Sequence, residues 1–263
     1  MTTQQFNAVY GPVTSWRYGR SLGLDPIGKV STCSFNCVYC QLGAIEHHTA
    51  QRDIYVPTEK IISDLQHFAP WDVDVITLSG SGEPTLAANL GEILDQVKAL
   101  TQRPTLVLTN ATLFNDPQVR QALLKADKIS AKLDTVTPRG LKGINRPVMG
   151  ITYDTLTRGL LQLRQEYSGE LGIQTMILRP WPDHEIDEYL RFIQRLSPDV
   201  IHLNTPTRPK PRQRQFDGRG NHSDADNRAY SVQHLTCVEP DVLSKIAQAI
   251  SQQAQIPVKW VSH

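Results

Sequence analysis

Three cysteines lie close together in the stretch Cys33-Ser34-Phe35-Asn36-Cys37-Val38-Tyr39-Cys40, separated by gaps of three and two residues. Thiolates this close on a loop can bind one inorganic centre, either a metal ion or an iron–sulfur cluster. A structural zinc site or a ferredoxin cluster would also require a fourth ligand. Cys237 is the one remaining cysteine, but no ligand motif surrounds it, and we expect it to be a buried free thiol.

The composition indicates a folded protein, since 40% of the 263 residues are hydrophobic and 20% are charged. The length is compatible with one or two domains, and we expect a single domain over residues 1–263. No run of about 18 apolar residues is present, so we expect no membrane span. Met1–Tyr10 lacks the apolar segment of a signal peptide, which favours a cytoplasmic location. The net charge of +1 argues against broad electrostatic binding to nucleic acid.

Around the cysteine stretch, short β-branched runs alternate with apolar residues at helical spacing. The predicted strands are Lys29–Thr32, Val73–Leu78, Thr105–Leu108, Ile129–Leu133, Ile173–Leu178 and Val200–Leu203. Thr58 and Asp116-Pro117 have the residue types that begin helices. This alternation predicts an α/β fold with parallel strands, a partial (β/α)6 barrel, with a doubly wound sheet as the less favoured alternative. In either fold the ligand site lies at the carboxyl ends of the strands.

The rest of the chain is divided around this barrel. We expect an N-terminal lead over residues 1–27, the barrel over 28–204, a basic loop or lid over 205–232 and a C-terminal extension with a helix over 233–263. The basic loop has no periodicity and contains Arg208, Lys210, Arg212, Arg214 and Arg219. Its arginines are suited to binding a phosphate or a carboxylate, and a solvated surface loop is the alternative.

The spacing of Cys33, Cys37 and Cys40, with an aromatic residue just before the last cysteine, resembles the signature of the radical S-adenosylmethionine superfamily. The resemblance implies that the three cysteines hold a [4Fe–4S] cluster and leave one iron open. It also implies that S-adenosylmethionine binds at that open iron. Tyr39 fills the aromatic position and is expected to be part of the cofactor site.

Three further positions resemble cofactor-binding positions of the superfamily. The turn Leu78-Ser79-Gly80-Ser81-Gly82-Glu83-Pro84 is weak evidence alone, and it lacks both a phosphate-loop Gly-Lys-Ser/Thr and a G-x-G-x-x-G fingerprint. It resembles the superfamily's Gly-Gly-Glu motif, with Ser81 in place of the first glycine. The resemblance assigns the methionine amine to Gly80, Ser81, Gly82 and Glu83. It assigns the methionyl and ribose groups to Asn110 and Asp134, for which capping or turn formation is the alternative.

A narrower resemblance extends over about residues 10–210. In its cluster region the chain is similar to the branch that contains the tRNA wybutosine-synthesis radical enzyme. The similar segments are Gly11–Val13, Gly19–Gly23, Cys37–Gly43, Ser79–Leu86 and Leu203–Pro209. Ala111 departs from the branch pattern, which prefers glycine at that position. Such a resemblance transfers the cofactor chemistry better than the substrate.

The function implied by the resemblance is reductive cleavage of S-adenosylmethionine to a 5′-deoxyadenosyl radical, which takes hydrogen from an unidentified substrate. An electron donor such as flavodoxin or ferredoxin is then expected. Two alternatives stay open. One is a tRNA-modifying radical enzyme, and the other is a non-catalytic electron-transfer or metal-binding module with Cys237 as the fourth ligand.

Overall fold

The structure, a computed structural model, describes residues 6–220 and 230–260. Within these ranges the strands are, in chain order, β1 Val9–Ser15, β2 Gly19–Leu24, β3 Thr32–Cys33, β4 His47–His48, β5 Val75–Leu78, β6 Thr105–Thr109, β7 Lys128–Lys132, β8 Glu170–Met176, β9 Val200–Asn204, β10 Lys210–Pro211, β11 Val232–Gln233 and β12 Val258–Lys259. The α-helices are α1 Thr58–Gln66, α2 Leu90–Thr101, α3 Pro117–Leu123, α4 Pro138–Gly140, α5 Tyr153–Glu166, α6 Asp183–Leu196 and α7 Pro240–Gln253. A π-turn over Leu141–Asn145 follows α4 directly.

The main sheet has eight strands in the order β1-β2-β5-β6-β7-β8-β9-β12. Neighbours from β2 to β12 are parallel, and β1 joins the edge as an antiparallel hairpin with β2. The strands β2, β5, β6, β7, β8 and β9 form the six units of a curled half-barrel. The predicted α/β fold with a partial (β/α)6 barrel is therefore confirmed.

The predicted first strand was wrong by about ten residues. The run that begins at Lys29 is a loop, and just Thr32 and Cys33 pair with His47 and His48. The first parallel strand of the barrel is β2, Gly19–Leu24, inside the segment interpreted as a lead. Its glycines hide the strand pattern, but Gly23 leaves room for the Tyr10 ring, which would lie 2.2 Å from an added Cβ. Packing against β1 therefore outweighs the low strand propensity of glycine.

The helices cover the outer face of the sheet with apolar side chains at helical spacing. From α2, Leu90, Ile93, Leu94 and Val97 are fully buried, and each contributes about 1.5–3 kcal/mol in lost contact with water. Other helices do the same with Ile61, Leu65, Leu156, Leu160, Leu163, Ile186, Leu190, Ile193, Leu243, Ile246 and Ile250. This layer makes the half-barrel a rigid support for the loops at its carboxyl edge.

The predicted helix starts are partly correct. Asp116 caps α3, where its side chain accepts a hydrogen bond from the Gln118 amide. Thr58 is not a cap but the first residue of α1, because its hydroxyl donates to Glu92 on the next helix at 3.0 Å. Among residues 6–220 and 230–260 no helix is long and apolar enough to cross a membrane.

Candidate functional site

The segment from Cys33 to Gly43, called the cysteine loop below, lies at the carboxyl edge of the barrel. Its backbone is held by the π-turn and the residues just after it. The Asn36 amide donates to the Asn145 carbonyl at 2.9 Å, and the Val38 amide donates to the Ile144 carbonyl at 2.9 Å. The Cys40 and Gly43 amides close two turns within the loop. These contacts, together with the pairing of Cys33 in β3, fix the backbone that carries the three thiols.

The thiols of Cys33, Cys37 and Cys40 all line one cavity of about 500 Å³. Burial raises the pKa of all three, that of Cys37 to about 12, and the charge of a neighbouring cysteine contributes to the rise at Cys33 and Cys37. A metal that binds these three cysteines as thiolates therefore has to displace the thiol protons. In the described part of the chain, no three His, Cys, Asp or Glu side chains are placed to hold a single metal ion. Thiolates that bind separate irons of a cluster stand farther apart than the ligands of one ion.

Tyr39 and Asp134 form a buried network that anchors the cysteine loop. The Tyr39 hydroxyl donates to Asp134 Oδ2, and the Asn145 amide group donates to the same oxygen at 2.7 Å. Burial and the Asp134 carboxylate raise the pKa of Tyr39 well above its ordinary value, so the phenol stays protonated. Lys132 completes the network, with Nζ 4.8 Å from the Tyr39 ring centre and 3.6 Å from Asp134.

Tyr39 lines the large cavity, whereas Asp134 lines a separate small one of about 10 Å³. Asp134 also accepts a hydrogen bond from the Met176 amide at 2.9 Å. Its contacts therefore join the cysteine loop to β7 and β8. The predicted contact with the methionyl and ribose groups of the cofactor stays a prediction.

Glu83 and Asn110, which follow β5 and β6, lie side by side on the large cavity. Glu83 Oε1 accepts hydrogen bonds from the hydroxyls of Thr85 and Thr109 at 2.7 and 2.6 Å, and from the Thr85 amide. Its Oε2 accepts one hydrogen bond, from the backbone amide of Asn110 at 2.7 Å. Burial raises the pKa of Glu83, and these donors act in the opposite direction. Thr85 and Thr109 were not singled out from the sequence, because a threonine near a turn has many ordinary uses.

The side chain of Asn110 connects the end of β6 to the cysteine loop. Its Nδ2 donates to the Ser34 hydroxyl at 2.9 Å and lies 3.5 Å from the Cys33 sulfur. The next residue, Ala111, has φ of 64° and is fully buried. The left-handed backbone explains why the branch pattern prefers glycine there, since an alanine pays roughly 1–2 kcal/mol for it.

Gly80 and Gly82 serve close backbone packing at the turn after β5. Gly80 has φ of 121°, and an added Cβ would lie 2.4 Å from the Asp25 carboxyl carbon. An added Cβ on Gly82 would lie 1.7 Å from the Thr32 carbonyl oxygen. Ser81 is buried and does not line the cavity, because its hydroxyl accepts a hydrogen bond from Arg214 at 3.1 Å. The turn is thus fixed from both sides by contacts within the protein.

We expect Gly82→Ala to loosen this contact and destabilise the protein by about 1–3 kcal/mol, since rigid backbone would have to move. The matched control is Gly143→Ala, because an added Cβ there meets nothing within 4 Å. Urea unfolding of both variants measures the difference. Equal stability of the two variants would contradict the packing role of Gly82.

The basic segment, residues 205–220, packs directly over the cysteine loop. Lys210 donates to the Cys37 carbonyl at 3.1 Å, Arg208 donates to Gln41 at 3.1 Å, and the Gln215 amide donates to the Leu42 carbonyl at 3.0 Å. Residues 221–229 of the predicted lid over 205–232 lie outside the described residues. Because several of its basic side chains are turned inward, less positive charge is left for nucleic acid.

Cys237 is exposed, so the prediction of a buried thiol was wrong. It lies in the extended stretch before α7 and does not line the cavity with the other three cysteines. Its neighbour Val238 is bound through the backbone to the Thr205 hydroxyl at 3.0 Å. The structure therefore does not bring a fourth cysteine to the cysteine loop.

The family model of the radical SAM superfamily matches residues 29–193, which include the cysteine loop and most of the barrel. The chain belongs to the radical SAM superfamily. It is also 56% identical over 254 residues to a UPF0026 protein of Synechocystis, covering 97% of this chain and 96% of the relative. This radical SAM protein is therefore a member of the UPF0026 family as well.

More distant comparisons agree with this assignment. A UPF0026 protein of Methanocaldococcus jannaschii is 34% identical over 209 residues, which are 76% of this chain and 64% of the relative. The crystal structure of Streptococcus suis SuiB bound to S-adenosylmethionine superposes with a TM-score of 0.60 and 15% identity. That match covers 92% of this chain and 47% of SuiB, and it shows the fold alone. Radical SAM proteins are enzymes that need a substrate and a reductant.

Proposed function

We propose that this radical SAM protein holds a [4Fe–4S] cluster on Cys33, Cys37 and Cys40 and cleaves S-adenosylmethionine in the cavity beside it. The bound, reduced cluster would supply one electron, which breaks the C5′–S bond to give methionine and a 5′-deoxyadenosyl radical that takes a hydrogen atom from the substrate. The observation that carries the proposal is that three half-buried thiols line one cavity of about 500 Å³. That volume lies within the usual range for small-molecule sites.

The donor set fits a cluster with one iron left for another ligand. Cys33, Cys37 and Cys40 are grouped on one loop, and Cys237 is exposed elsewhere. A pure electron carrier of this type would have four thiolates. The three-plus-one arrangement therefore supports an enzyme more than the non-catalytic module.

Glu83 is proposed to receive the amine of S-adenosylmethionine. Its Oε2 accepts one hydrogen bond from the protein, so that oxygen keeps an acceptor site on the cavity side. Gly80 and Gly82 also line the cavity and allow backbone to approach a ligand closely, whereas Ser81 serves the fold through Arg214. The Asn110 amide group is proposed to orient Cys33 through its contact at 3.5 Å.

Tyr39 and Asp134 are proposed to position the cysteine loop rather than to react. The Asp134 carboxylate binds Tyr39 and Asn145, and Asn145 in turn lies 3.5 Å from the Cys37 sulfur. This chain of contacts fixes Cys37, through Asn145, and Cys40, through its neighbour Tyr39, relative to the barrel. Loss of Asp134 would therefore affect the cysteines through the loop backbone.

Positive charges near Cys40 are proposed to stabilise the anionic site. Lys210, Arg214 and Lys132 lower the pKa of Cys40, although burial, the larger effect, raises it. The same charges favour the addition of an electron, because reduction makes the site more negative. An external donor such as flavodoxin or ferredoxin is proposed to supply that electron.

The experiment is anaerobic reconstitution of the full chain with iron and sulfide, followed by dithionite and S-adenosylmethionine. We expect 5′-deoxyadenosine and methionine in the product mixture, measured by liquid chromatography. Omission of dithionite is the control, and it should leave S-adenosylmethionine intact. A fully loaded cluster that never yields 5′-deoxyadenosine would overturn the proposal in favour of the electron-transfer module. Salt-dependent binding of tRNA would indicate the tRNA-modifying alternative for the substrate.

A further inference from the structure

The turn between β1 and β2 crosses the open side of the half-barrel. Strand β1 lies at one edge of the sheet, and β9 lies next to the other edge. Nevertheless the rings of Trp16 and Tyr18 contact the His202 ring edge-to-face, with centroids 5.7 and 5.3 Å apart. The Tyr18 hydroxyl also lies next to Gly172 on β8, at van der Waals distance from the position of an added Cβ. The turn therefore closes one wall of the cavity.

His202 on β9 is a buried polar side chain with nothing to bind. The residue is 2% exposed, it lines the large cavity, and neither ring nitrogen has a hydrogen-bond partner. Burial, together with the charges of Arg17 and Lys259, lowers the pKa of His202 to about 3. The ring is therefore neutral at physiological pH and offers one donor and one acceptor. Leaving both unused costs free energy, which a bound ligand would recover.

Arg17 lies on the same turn and lines the same cavity. Its Nε is buried without a hydrogen-bond partner, and the described residues provide it with no ion pair. Burial lowers the pKa of Arg17, and the nearby positive charge of Arg208 lowers it further. Arg208 also lines the cavity. A guanidinium group is suited to binding a carboxylate or a phosphate through two parallel hydrogen bonds.

Arg219 and Lys132, which also line the cavity, have acidic partners. Arg219 binds Asp25 at 3.0 Å, and Lys132 lies 3.6 Å from Asp134. Glu83, which lines the cavity too, takes its hydrogen bonds from the threonines and Asn110. The positive charge of Arg17 is therefore left for something that enters the cavity.

From these observations we infer that the wall formed by Arg17 and His202 is the substrate subsite, and that the substrate carries a carboxylate or phosphate oxyanion. Arg17 binds the oxyanion, and His202 binds a neutral polar atom of the same molecule. Gln174 and Ser130 border the subsite and bind each other at 2.7 Å, so the floor is already ordered. As an assignment of the substrate class, this inference rests on the proposed function.

The test is titration of the reconstituted protein with inorganic phosphate and, separately, with acetate. Trp16 reports on the site by its fluorescence, because the Arg17 guanidinium lies 5.3 Å from its ring centre. We expect a saturable change with at least one anion, and the anion that binds more tightly identifies the substrate group. Arg17→Gln should weaken that binding at least tenfold. The matched control, Arg20→Gln on the same hairpin, removes an exposed arginine and should leave the binding unchanged.

Two further measurements distinguish loss of anion binding from loss of folding and from competition with S-adenosylmethionine. Arg17→Lys keeps the charge but loses the planar fork, so it should bind more weakly than the wild type and serves if Arg17→Gln does not fold. Saturating S-adenosylmethionine should not displace the anion. Three results would each overturn the subsite. They are absence of saturation with both anions, equal affinity of the wild type and Arg17→Gln, and displacement of the anion by S-adenosylmethionine. No reductant is used, so failure of S-adenosylmethionine cleavage would leave this result intact.

Discussion

Replacement of Cys37 by alanine is expected to abolish production of 5′-deoxyadenosine. Cys37 is in the middle of the cysteine loop, with its sulfur 3.5 Å from Asn145, and it borders the large cavity. Its removal leaves two local thiols, which are too few to hold a four-iron cluster stably. The measurement is iron content and 5′-deoxyadenosine after anaerobic reconstitution, and both should fall to background.

The control for this experiment is Cys237→Ala. Cys237 is exposed and lies away from the cavity, so iron content and 5′-deoxyadenosine should equal those of the wild type. Unfolding of the unloaded Cys37→Ala protein should remain cooperative, because a thiol is removed and no backbone contact is lost. Background activity in Cys237→Ala with normal folding would refute the assignment of three ligands and favour the four-cysteine module.

Replacement of Arg219 by glutamine is expected to destabilise the fold by about 3–5 kcal/mol, because it leaves a buried carboxylate without its cation. The side chain of Asp25 is 0% exposed and that of Arg219 is 7% exposed, with Nη1 donating at 3.0 Å. The guanidinium also stacks on the Phe216 ring at 3.8 Å from its centre. Gly80 packs against Asp25, so the loss extends to the turn after β5. Denaturant unfolding of the unloaded protein measures it.

Two further variants make this prediction specific. Arg20→Gln breaks the Arg20–Asp72 pair, whose side chains are 51% and 85% exposed, and should cost at most about 1 kcal/mol. The double variant Asp25→Asn, Arg219→Gln also removes the unpaired carboxylate of Asp25, so it should be more stable than Arg219→Gln alone. A loss below about 1 kcal/mol for Arg219→Gln would show that the buried pair does not hold the basic segment to the barrel.

The barrel and the cysteine site could be predicted from different kinds of sequence information. The β-branched runs before α2, α3, α5 and α6 indicated their strands because those strands are buried on both faces. Strand β2 was missed, since Gly19 and Gly23 have low strand propensity and the strand depends on contact with Tyr10. We predicted a buried Cys237 because free cysteines are usually buried. The prediction was wrong, since Cys237 lies exposed in the segment before α7.

The sequence by itself determined the family, the half-barrel and the grouping of Cys33, Cys37 and Cys40, because local spacing and periodicity are properties of neighbouring residues. Tertiary structure decided what the other polar residues do. It directed Ser81 to Arg214, placed Asp134 beneath Tyr39, and brought the β1–β2 turn across the barrel to His202. These contacts join residues far apart in the chain, so no local pattern encodes them. The curl of the sheet brings the β1–β2 turn to His202, and the loops at the carboxyl edge of the barrel make the other two contacts.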